Sequence, residues 1–121
     1  MPIVHTVLAR VFVDDIQAAL PVYQALSEDE PKRFRFRDIE LAWVGSFLLL
    51  KAPPEQQHLY NRVATLLTAD IELAVEHLTL AGGDILEGPA PGPYGARMIA
   101  RHEDGSIFEY IETPDQGHRR T

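Results

Sequence analysis

The sequence contains no cysteine. That removes disulfides, thiolate metal sites and cysteine nucleophiles together, and it suits a reducing, cytoplasmic setting. Basic residues are few, 11 Lys and Arg against 18 Asp and Glu, for a formal charge of −7. Phosphate contacts need a basic field, so no nucleic-acid partner is expected. The excess of carboxylates favours a cationic ligand or partner instead. No apolar run is long enough to cross a bilayer, and the start lacks a basic n-region followed by an apolar h-region, so no membrane association is expected. What remains is 121 residues with 45% hydrophobic and 24% charged side chains, ordinary values for one compact globular domain.

The chain nearly repeats itself. "DDIQAALPVY" (Asp14–Tyr23) and "ADIELAVEHL" (Ala69–Leu78) align when Asp15 is set on Asp70, an offset of 55 residues. Ile16 then meets Ile71, Ala19 meets Ala74, Leu20 meets Val75, and Tyr23 meets Leu78. Apolar residues at i, i+3, i+4 and i+7 form one face of an amphipathic helix. Each Asp stands where its carboxylate can accept from the free amides of the first turn. The spacing predicts helices over about Asp15–Leu26, with Pro21 inside, and Asp70–Ala81, stopped by Gly82-Gly83.

Apolar, β-branched stretches precede both helices: Ile3–Val13 and Arg62–Ala69. They read as strands. After the helices come "RFRFRD", "IELAWV" and "SFLLLKA" in the first half, then "DILEG", "ARMIARHE" and "SIFEYIE" in the second. Gly45-Ser46 and Gly105-Ser106 read as matching hairpin turns, with the extra length of the second half assigned to "GPAPGPYG". Each half is thus β-α-β-β-β. Module 1 covers about residues 1–52, the linker "APPEQQH" about 53–59, module 2 about 60–113, and a tail 114–121, expected to be disordered or weakly docked. One helix covers one face of such a unit, so two units are expected to share a cleft between their bare faces.

This organisation resembles the vicinal oxygen chelate superfamily, which includes glyoxalase I, bleomycin-resistance proteins and extradiol dioxygenases. The residues that carry the resemblance are "VFVDDIQAALPVY" and "GPYGARMIARHEDGSIFEYIE". It implies an α+β fold of two βαβββ modules around a cup-shaped cavity, often as a homodimer. It does not assign a reaction, because one fold hosts many functions. Metal-dependent members use side chains from the first and last strand of each module. Counted from the capping Asp, the first-strand positions fall on Leu8 and Val63; counted from the hairpin Gly, the last-strand positions fall on Leu49 and Glu109. Only Glu109 can donate to a metal. A shifted register puts Ala64 in place of Val63 and helps no more. No metal and no cofactor are therefore expected. His5 lies three residues before Leu8, on the opposite face by strand alternation; only a bulge would return it to the cavity. His58, His77 and His118 read as solvated.

Strand parity places Leu8, Arg10, Phe12, Val63, Thr65 and Leu67 inward. In the hairpins Glu40 is expected across from Leu49, Ala42 from Phe47, Ala100 from Glu109, and His102 from Ile107. The expected ligand-binding residues are Arg10, Phe12, Glu40, Phe47, Thr65, His102 and Glu109: apolar walls with a few orienting polar groups. Glu109 has two readings, a ligand contact or an ion pair with Arg10 in the core. Trp43 and Tyr94 are candidates for stacking on a flat ligand; Trp43 falls on the opposite parity, which favours packing on a helix or a partner, and Tyr94 sits in a Gly-rich loop as a candidate lid. "KRFRFR" (Lys32–Arg37) alternates, with Phe34 and Phe36 on one face, as in a half-buried strand.

Three functions fit. The first is a metal-free protein that sequesters a small apolar or cationic compound. The second is an enzyme of the same superfamily, a lyase, isomerase or dioxygenase, acting through Glu109 with His102 or through a displaced metal site. The third is a partner domain with a filled cavity. The expected partners are a small-molecule ligand and a second copy of the chain.

Overall fold

The computed structural model describes residues 2–114; of the tail, only Pro114 lies among them. Elements run in the order β1 (Val4–Phe12), α1 (Ile16–Ser27), β2 (Lys32–Phe36), β3 (Ile39–Val44), β4 (Phe47–Lys51), β5 (Thr65–Thr68), α2 (Ile71–Leu80), β6 (Asp84–Ala90), β7 (Arg97–Arg101) and β8 (Ile107–Glu112). A 3-10 helix, Pro54–Tyr60, occupies the segment between β4 and β5. The fold is α+β, and β-α-β-β-β occurs twice. By contacts the chain forms two compact units, Leu8–Asn61 and residues 2–7 with 62–114.

Both helices begin as their sequence dictates. The Asp15 carboxylate accepts from Ala18 N–H at 3.2 Å, and Asp70 from Leu73 N–H at 3.1 Å, satisfying amides that have no partner inside the helix. A third carboxylate joins the second cap: Glu112, at the end of β8, accepts from Ile71 N–H at 2.9 Å. α1 ends on Glu28 in the left-handed region (φ 51°), whose N–H donates to Gln24 O.

In the Leu8–Asn61 unit the strands lie in the order β2-β3-β4-β1. β2, β3 and β4 are antiparallel neighbours, and β1 is parallel to β4. α1 packs Ile16 and Leu20 on Ala42, Val44 and Leu49, with Val11 and Phe47 beside them. In the other unit the order is β5-β8-β7-β6, with β5 parallel to β8. α2 packs Ile71 and Ala74 on Leu66, Met98, Ala100 and Tyr110. Burying such side chains contributes about 1.5–3 kcal/mol each.

The two hairpin turns do not match. Val44 pairs with Phe47 across a two-residue turn, with Gly45 at φ 58°. In the second hairpin His102 N–H donates to Ser106 O at 2.8 Å, and Gly105 N–H donates to His102 O at 2.9 Å. Gly105 has φ 94°. That is a three-residue loop closed by a glycine bulge. An odd loop shifts the facing strand by one residue and turns its side chains over. The bulge, and longer arms on β7 and β8, take up most of the second half's extra length, rather than the "GPAPGPYG" stretch.

Candidate functional site

Register decides which expected residues meet. In the second unit Thr65 pairs with Glu109, and Glu109 with Ile99. These residues occupy the sheet face turned away from α2. Thr65 Oγ1 donates to Glu109 Oε1 at 2.8 Å, and Arg97 Nε donates to Glu109 Oε2 at 3.2 Å. Arg97 Nη1 also donates to Glu87 Oε2 at 3.0 Å. The Arg97 and Glu109 side chains are only 9% and 11% exposed, whereas Glu87 is 39% exposed. Both oxygens of a buried carboxylate are thus hydrogen-bonded, and the guanidinium spans two carboxylates. Such a group is costly to bury unless it is held this way.

Arg97 and Glu87 were missed in the sequence. A charge inside the apolar run "RMIA" carries the same signal that singled out Glu109. Glu87 is harder to read, because register shifts flank it on β6, between Ile85 and Glu87 and between Glu87 and Ala90. Bulges of this kind re-aim a side chain. Next to it, Gly88 has φ 82°, and a Cβ there would meet Arg97 O at 2.5 Å.

His102 does not join Glu109. Ala100 pairs with Phe108, not with Glu109, and Arg101 rather than His102 pairs with Ile107. The glycine bulge is the reason. His102 Nε2 lies 2.7 Å from Tyr110 Oη, and its ring stacks on Phe108 at 4.3 Å. Tyr110 and Phe108 belong to the α2 face. Burial pushes the Tyr110 phenol above its usual range. At the loop tip the backbone N–H of Ser106 holds the Asp104 carboxyl below its usual range, with the Ser106 side chain and the His102 charge adding to the effect.

The first hairpin needs a similar correction. Glu40 pairs with Lys51 and Ala42 with Leu49, two residues away from the expected partners. β1 then sets the faces: Arg10 lies beside Leu48, Val11 beside Leu49, and Phe12 beside Leu50. Glu40, Ala42, Phe47 and Leu49 therefore share the α1 face and not the face of Arg10 and Phe12. Glu40 sits 3.8 Å from both Arg35 and Lys51. Phe47 packs edge-on against Tyr23 at 4.9 Å.

Arg10 and Phe12 instead share the face turned away from α1 with Phe34, Phe36, Leu41, Trp43, Leu48 and Leu50. Trp43 is thus not on the helix side. Arg10 Nη2 donates to Tyr60 O at 2.6 Å. Tyr94 is half-buried, and burial raises its phenol pKa.

The metal positions fit no metal. Counting from the hairpin Gly fails in the first unit, because its turn lacks the bulge; the residue that stands as Glu109 does is Leu48, not Leu49. Leu8 is buried and Val63 is 61% exposed. Hydrocarbon at Leu8, Leu48 and Val63 offers no donor atom. His5 contacts Thr6 Oγ1 at 2.9 Å and Thr113 O at 3.0 Å. His58 and His77 are exposed, and His118 lies outside the described residues. Among the described residues no group of three or more His, Asp or Glu lies close enough to hold a metal ion, and no helix is long and apolar enough to cross a membrane.

No family model and no curated protein matches the chain. Solved structures do. An uncharacterized protein from Methanosarcina mazei superposes with a TM-score of 0.84 at 32% identity, covering 94% of this chain and 95% of that one. Methylmalonyl-CoA epimerase from Mycobacterium tuberculosis gives a TM-score of 0.65 at 15% identity over 98% and 95%. A Streptomyces coelicolor methylmalonyl-CoA epimerase in complex with 2-nitronate-propionyl-CoA gives 0.61 at 15% over 91% and 93%. The epimerases share the fold. The chain therefore belongs to one family with the M. mazei protein, and its fold is that of the vicinal oxygen chelate superfamily.

Proposed function

We propose that the protein binds a small apolar or cationic molecule, without a metal, on the sheet face turned away from α2. The observation that carries this reading is Glu109, a carboxylate buried in apolar strands with Thr65 and Arg97 fixing both its oxygens. Apolar walls with a few preset polar groups are the usual composition of a small-molecule site. Acid/base chemistry by Glu109 with His102 is not favoured, since the two residues serve opposite faces of the sheet. A displaced metal site has no set of donors among the described residues.

Native mass spectrometry of freshly purified protein tests the reading. The expected result is a small organic molecule retained by wild type and bound about tenfold more weakly by Glu109→Gln, the factor that about 1.4 kcal/mol implies. Elemental analysis of the same sample should find far less than one equivalent of nickel, zinc, manganese or iron. A stoichiometric metal, or a ligand whose affinity ignores Glu109→Gln, would sink it.

A further inference from the structure

The register brings the chain's only tryptophan to an unexpected place. Trp43 stands beside Lys32 of β2, on the face turned away from α1. The indole is pinned, because Trp43 Nε1–H donates to Gly45 O at 3.0 Å. The Lys32 ammonium lies 4.8 Å from the ring centroid. Trp43 is half-buried, and Lys32 is exposed. Just past the end of β2 the Arg37 guanidinium lies 4.8 Å over the Phe36 ring. Three of the five phenylalanines, Phe12, Phe34 and Phe36, share this face with the tryptophan.

A cation over an aromatic face is drawn by the negative face of the ring quadrupole, most strongly over indole. Holding the ring in place beforehand lowers the ordering cost of binding. The Lys32 ammonium shows which charge this ring accepts and from which side it can be reached. It sits at the end of a flexible, exposed stem, so a free cation can compete for its place. The net charge of −7 raises the local concentration of such cations.

We propose that the Trp43 ring is a cation site of the Leu8–Asn61 unit, selecting an organic cation, a quaternary or protonated amine on an apolar group, which replaces the Lys32 ammonium. It goes beyond the reading at Glu109 and stands on its own observation, the Lys32 ammonium over the indole. Trp43 is the residue in contact, and Lys32 is the internal competitor.

Because Trp43 is the only tryptophan, its fluorescence reports the site directly. The probe is benzyltrimethylammonium, with benzyl alcohol as the neutral control, titrated at constant ionic strength. Saturable quenching is expected with the cation and not with the alcohol. Lys32→Ala should tighten binding about three- to tenfold, as removal of a competing cation–π contact implies. By calorimetry Trp43→Phe should keep weakened binding and Trp43→Leu should lose it. Should Trp43→Leu fail to fold, Lys32→Ala and Trp43→Phe still decide. Equal response to cation and alcohol, no response to either, or unchanged or weaker binding in Lys32→Ala would each overturn the site.

Discussion

Leu48 and Glu109 hold equivalent places in the two units: Leu48 lies beside Arg10 in a parallel pair, and Glu109 beside Thr65. One module thus carries hydrocarbon where the other carries a buried charge. The duplication has kept the backbone and divided the chemistry.

That charge depends on Arg97. Arg97→Met should destabilise the protein by about 3–5 kcal/mol, because it removes the guanidinium bonded to the buried Glu109 carboxylate. The double variant Arg97→Met/Glu109→Leu should recover most of the loss, since a hydrophobic pair of similar volume removes the desolvation cost. Urea melts of the three proteins would show it. A double variant no more stable than the single would mean the pair is not the cause.

Tyr110 should weaken the fold at high pH. Its folded-state pKa is raised by burial, so its stabilising contribution is complete below the unfolded phenol pKa and is lost as pH rises through the folded one. Tyr110→Phe removes that loss and also the 2.7 Å contact with His102. Wild type should therefore be the more stable at neutral pH, and the gap should narrow above the ordinary phenol range. Thermal melts across that range check the sign; a gap that widens would contradict it.

A second copy of the chain is the expected partner. α1 exposes Val22 (61%) and Leu26 (68%), one helical turn apart, and edge strands and apolar patches favour association. Sedimentation should show a dimer at micromolar concentration. A monomer at high micromolar concentration would refute this.

Much of the fold was legible in the sequence. Asp15 and Asp70, followed by apolar residues at helical spacing, marked both helices to within a residue or two, because capping and amphipathicity are local. Thr65 and Glu109 came out on one face because strand parity is also local. Faces further along were lost at the turns. Gly45-Ser46 and Gly105-Ser106 look alike as dipeptides, yet only the second closes a bulge, and one extra residue turns a strand over. That single step misplaced His102. The same unequal spacing set Leu49 where Leu48 belongs, and with it Glu40 and Phe47. Arg97 was overlooked because its two partners come from β6 and β8, and no short window of sequence contains all three.

The bond from Ile71 N–H to Glu112 ties the start of α2 to the last residue of β8. Neither end can fray without exposing a donor or an acceptor held by the other. Hydrogen exchange at the first turn of α2 and at the end of β8 should therefore proceed as one cooperative opening, even though these segments stand far apart in the chain.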